Sequence, residues 1–140
     1  MATEALAHQD NGPGPGVVSI ASAHSFLDTV RRLRDAFARS HIKVFAVIDQ
    51  QAEALTAGLA MPPTTLILFG NPKAGTPLML ARPRSGLDLP LKVLVSESSP
   101  GQVTVCFNAA AYIIERHGLP AELEPNLASA ERLIASVLQT

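Results

Sequence analysis

The chain holds one cysteine, Cys106, and no tryptophan. A single thiol cannot close an intramolecular disulfide, so the fold must rest on its core, and a reducing cytoplasm suits it. Charge is also scarce. Charged residues make up 16% of the 140 residues, and 11 basic against 12 acidic side chains leave a formal net charge of −1. No basic field is available to steer a polyphosphate, which argues against nucleic acid as a partner. No apolar run is long enough to span a bilayer. The start, Met1-Ala2-Thr3-Glu4, lacks the basic region and apolar core of a signal peptide. The histidines and the cysteine have no zinc-type spacing, so neither a metal nor another cofactor is expected. A Gly-x-Ser-x-Gly nucleophile elbow is missing too.

What the chain does have is apolar material, 47% of its residues, enough for the core of one domain. Residues 1–16, with the run Gly12-Pro13-Gly14-Pro15-Gly16, read as a disordered tail. Residues 17–140 read as a single domain. Val17 to Ala21 is a short strand. Ser25 caps a helix, with Asp28 as a capping-box-like partner, and Phe26, Val30, Leu33 and Phe37 form its buried stripe. Arg31, Arg32, Arg34 and Arg39 lie off that stripe, on a face read as solvated, the alternative being a surface for an anionic partner. Ile42 to Asp49 is a second strand, with Val44, Ala46 and Ile48 on one side. A short Ala-rich helix runs from about Gln51 to Ala57, and Gly58 terminates it. Lys92 to Glu97 and Gln102 to Asn108 form a hairpin around Ser98-Ser99-Pro100-Gly101. Cys106 alternates with apolar neighbours there and reads as a small hydrophobe. Asn108 is a natural cap for a helix over Ala109 to Arg116. Leu127, Ala130, Ile134 and Val137 stripe the last helix.

The chain is organised around Gly70-Asn71-Pro72-Lys73-Ala74-Gly75-Thr76-Pro77. The strand Thr65 to Phe69 runs into it and an apolar helix leaves it. Gly75 permits positive φ, Thr76 is placed to cap, and Pro77 is placed as the first helical residue. A strand, a glycine turn and a helix start make a cradle for an anion, with Lys73 supplying charge. The competing reading is a rigid connector. The loop is not a Walker A sequence, because Ala74 and Thr76 flank Gly75 where that motif has Lys after the second glycine. Asp88, between leucines, is placed to brace the loop or Lys73. Pro90 puts its segment at a sheet edge or outside a sheet. His117, after Arg116, is an acid–base candidate or a favourable cation at a helix end.

Strands and helices in this order argue an α+β fold. A mostly antiparallel sheet would carry its longer helices on one face, and a second copy of the chain would cover the other. Phe69-Gly70-Asn71-Pro72-Lys73-Ala74-Gly75-Thr76-Pro77-Leu78-Met79, then Asp88-Leu89-Pro90-Leu91-Lys92, then Arg116-His117-Gly118-Leu119 resemble the domain-of-unknown-function 302 family (DUF302). The resemblance spans about Ser25 to Leu119. It implies a strand–helix–four strands–helix fold of the TATA-binding-protein-like class, commonly dimeric, with no established activity. Similar sequences often read Ile-Asp-His where this chain has Ile48-Asp49-Gln50, and glutamine cannot take up a proton there.

Three functions follow from these residues. One is a binding or accessory domain that holds a small anionic metabolite at Gly70, Asn71, Lys73, Gly75 and Thr76, braced by Asp88 or Asn108. Another is an enzyme using Lys73, Asp88 and His117. The third is a structural homodimer with Met79 in its interface, which is compatible with the first.

Overall fold

The computed structural model describes residues 14–139. Most of the expected N-terminal tail, residues 1–13, lies outside them. Gly16 is tied to the domain: its carbonyl accepts from the Ala109 N–H at 2.7 Å, and its φ is +76°. A Cβ there would fall inside the Tyr112 ring, so only glycine fits both constraints.

Five strands form one antiparallel sheet: β1 (Val17–Ala21), β2 (Lys43–Asp49), β3 (Thr64–Gly70), β4 (Leu91–Ser99) and β5 (Gln102–Asn108). Their order across the sheet is β1-β5-β4-β3-β2. The helices are α1 (Phe26–Arg39), α2 (Gln50–Thr56), α3 (Pro72–Ala81), α4 (Ala110–Arg116) and α5 (Pro125–Leu138). A 3-10 turn covers Pro83–Asp88. The expected α+β architecture is therefore the observed one, with its longest helices, α1 and α5, packed on one sheet face.

Local chemistry sets the helix starts. Ser25 Oγ accepts from the Asp28 N–H at α1, and Asp49 Oδ1 accepts from the Ala52 N–H at α2. Asp28 also collects Arg31 and Arg32 one turn on. Hydrogen bonds from Arg32 and Arg31 hold its carboxyl below the usual carboxylate range. The arginines off the α1 stripe thus include two that pair locally on an open helix face.

The stripes meet the sheet as the periodicity implies. Leu33 and Phe37 of α1 and Ala130, Ile134 and Leu138 of α5 pack on Ile67, Phe69, Val93, Val95, Val103 and Val105. The rings of Phe37 and Phe69 stack at 4.3 Å between centroids, 15° from parallel. A second cluster joins Leu78 of α3, Ala110, Ile113 and Ile114 of α4, Leu119 and Leu127. It fixes α3 against the start of α5.

Two local expectations are corrected. Val44, Ala46 and Ile48 do not share a face. Val44 pairs with Phe69 but Ala46 pairs with Leu68, because β2 shifts register at Phe45. One extra residue in a strand reverses its alternation. Asn108 does not cap α4; it is the last residue of β5, and the cap position is Ala109. The Ala110 N–H instead donates to the Glu131 carboxylate of α5, a tertiary cap invisible to local sequence.

The sheet face turned from α1 and α5 carries Ile48, Leu66, Leu94 and Cys106 in one cross-strand row. None of them belongs to either buried cluster. Cys106 is half-buried there, its Sγ 3.5 Å from Ser19 Oγ.

Candidate functional site

The central loop is a helix start, five residues earlier than Thr76-Pro77 implied. Asn71 is the cap of α3 and Pro72 its first residue. Asn71 Oδ1 accepts from the Lys73 N–H at 2.9 Å. The Asn71 carbonyl accepts from the Ala74 and Gly75 N–H groups at 2.8 and 2.9 Å. Gly75 and Pro77 then lie inside the helix, and Gly75 does not have positive φ. Pro77 has no N–H to offer the Lys73 carbonyl four residues back. The Asn-Pro pair directly after the strand was the sequence signal for this start. It satisfies the first free donors as soon as β3 ends.

These bonds change the electrostatics expected of the loop. Three amides of the supposed cradle already have partners in the chain. Lys73 has no ion-pair or hydrogen-bond partner at its ammonium among the described residues.

A cleft of about 780 Å³ opens beside the loop. Gly70, Asn71, Gly75 and Thr76 line it, and Lys73 does not. The opposite wall is α5, through Asn126, Ser129, Arg132 and Leu133. Asn126 Nδ2 donates to the Ala74 carbonyl at 3.0 Å, joining α5 to the loop. Phe45, Phe69, Met79 and Leu89 supply apolar surface. Arg132 is the one charged residue in the lining among the described residues. Sequence reading missed Arg132 and Asn126. Both lie off the apolar stripe of α5, and nothing local marks which exposed residues of a helix will face a cleft.

Asp88, His117 and Asn108 lie elsewhere. Asp88 Oδ2 is 2.6 Å from His117 Nε2, and Arg116 Nη1 donates to both Asp88 oxygens at 2.9 and 3.0 Å. Asp88 and His117 side chains are 13% and 7% exposed, while Arg116 is half-exposed. The cluster pins the 3-10 turn to the end of α4. Asp88 therefore does not brace the central loop through Lys73. Asp88 and Asn108, with Lys92 and Glu131, line a second cavity of about 10 Å³, room for about one water. Phe69, Leu91, Leu127 and Ala130 line both cavities and form the wall between them. The enzyme arrangement of Lys73, Asp88 and His117 is thus not presented to the large cleft, since none of the three lines it. No group of three or more His, Cys, Asp or Glu side chains among the described residues is disposed to hold a metal.

Two relatives, fluoride-specific ion channel FluC 1 of Brucella suis and of Brucella abortus, are each 40% identical over 104 residues, 74% of this chain. Those residues are 41% and 38% of the relatives, so the chain spans about two-fifths of the curated proteins it matches. A crystal structure of an uncharacterized conserved DUF302 protein from Bacillus stearothermophilus superposes with a TM-score of 0.74 at 16% identity. It covers 89% of this chain and 97% of its own. At that identity the likeness speaks for the fold alone. The model of the family described as "domain of unknown function DUF302" matches residues 18–139, and the chain belongs to that family.

Proposed function

We propose that this chain is a non-catalytic binding or accessory domain that holds a small anion in the cleft beside the Gly70–Thr76 loop. The cleft itself carries the reading: its size lies in the range of about 300–1,000 Å³ typical of small-molecule sites, and the only charge that the described residues bring to its lining is positive. Positive charge comes from Arg132 at the wall, with Lys73 outside it as a longer-range contribution. A second copy of the chain belongs to the same reading. It would cover the row Ile48, Leu66, Leu94 and Cys106, which the helices leave open.

Thermal-shift titration with phosphates and carboxylates of graded size tests the site. At least one anion is expected to raise the Tm of the wild type by several degrees, with the rise abolished in Arg132→Gln and reduced in Lys73→Ala. Equal response of wild type and Arg132→Gln to every anion would sink the proposal. Light scattering on the same samples is expected to return the mass of two chains; a monomer at micromolar concentration would remove the partner copy.

The FluC relatives favour a narrower second reading. They carry a stretch like this chain as a minor part of proteins named for a fluoride channel. No helix among the described residues here is long and apolar enough to cross a membrane. In this reading the chain works beside such a channel as an auxiliary domain and does not line its pore. Deleting it in its host is expected to lower the fluoride concentration that arrests growth. Unchanged tolerance, with no co-purifying channel, would dismiss the idea.

A further inference from the structure

We infer that the ligand of the cleft is an organic monocarboxylate with an extended apolar body, bound by its head at Arg132. The inference deepens the anion reading above and rests on it. An inorganic anion would leave most of the 780 Å³ unfilled. It would also leave the apolar wall in water, where Phe45 is 45% and Met79 38% exposed. These two side chains, with Leu89 and Leu133, offer a surface that a hydrocarbon body can cover. Met79 is unbranched and can reshape to bodies of different width.

Charge sets the head group. Among the described residues the lining holds no Asp, Glu or Lys, so one guanidinium faces the ligand with no acidic lining residue beside it. Arg132 makes no ion pair or hydrogen bond to another described residue. Its planar fork matches a carboxylate through two parallel hydrogen bonds. Ser129, three residues before it, lies on the same side of α5. Across the cleft, Asn71 uses Oδ1 to cap α3, which leaves its amide N–H groups as further donors. A single positive charge with neutral donors around it suits one carboxylate better than a dianion.

Isothermal titration calorimetry with octanoate, acetate, inorganic phosphate and 1-octanol tests this on wild type and Arg132→Gln. Arg132 is exposed, so the variant is expected to fold, which circular dichroism checks. Each buried methylene contributes about fourfold in affinity. Octanoate is therefore expected to bind wild type at least about a hundredfold tighter than acetate. It should bind about tenfold weaker to Arg132→Gln, with phosphate and octanol both well behind it on wild type. Acetate or phosphate equal to octanoate would overturn the apolar body and leave an anion site standing. Octanol equal to octanoate on both proteins would overturn the carboxylate head. Silence from all four would remove this inference, and a flat thermal-shift panel beside it would remove the anion reading as well.

Discussion

Replacing Phe37 by alanine is expected to lower the free energy of unfolding by about 3–5 kcal/mol, the usual loss for a buried aromatic. Phe37 is 0% exposed and lies in the principal core, where α1 meets the sheet. Its ring stacks on Phe69, so the truncation removes that contact and opens a void between α1 and β3. The sheet cannot collapse to fill it, because β3 is hydrogen-bonded on both sides, to β2 and to β4. Urea unfolding measures the effect as a fall in midpoint with an unchanged slope. Phe45→Ala is the control: Phe45 is an exposed aromatic, and its loss is expected to cost about 1 kcal/mol or less. Equal losses from the two variants would show that the core has been misplaced.

The second large effect is expected at Asp88. Asp88→Ala leaves His117 Nε2 and the Arg116 guanidinium without their shared acceptor. Breaking a buried ion pair by removing one partner typically costs about 3–5 kcal/mol. Arg116 is half-exposed and water can replace part of its loss, so about 2–3 kcal/mol is expected here. The damage should be local to the junction of the 3-10 turn with α4, and hydrogen exchange should rise there first. Asp88→Ala within about 0.5 kcal/mol of wild type would mean that the cluster is ornamental. Because Asp88 does not line the large cleft, anion binding to the folded variant should be nearly preserved.

These expectations separate two kinds of legibility. The stripes of α1 and α5 were readable because a helix buries one face whatever it packs against. The hairpin of β4 and β5 was readable because its turn residues act locally. Ser25 was readable for the same reason, since a cap acts within three residues. Thr76 shows where such reasoning misleads. Two cap-like starts stand five residues apart, Asn71-Pro72 and Thr76-Pro77, and the helix uses the one that follows the strand directly.

Asn108 and Arg132 fail in sequence for another reason. The start of α4 is capped from α5, by Glu131, and the cleft takes its charge from α5 as well. Both facts depend on where the last helix docks across the sheet. Nothing near residue 110 or residue 71 encodes that docking. Likewise the flip of β2 at Phe45 appears only when its partner strand fixes the register.

By itself the sequence determined the α+β class, the helix stripes, most strand positions and the loop on which the chain turns, since each follows from local periodicity, capping or turn chemistry. Tertiary structure alone decided that Lys73 stands outside the cleft, and that Asp88 and His117 pair away from it. A side chain's partner is chosen by the packing of elements far apart in the chain, and packing has no local signature.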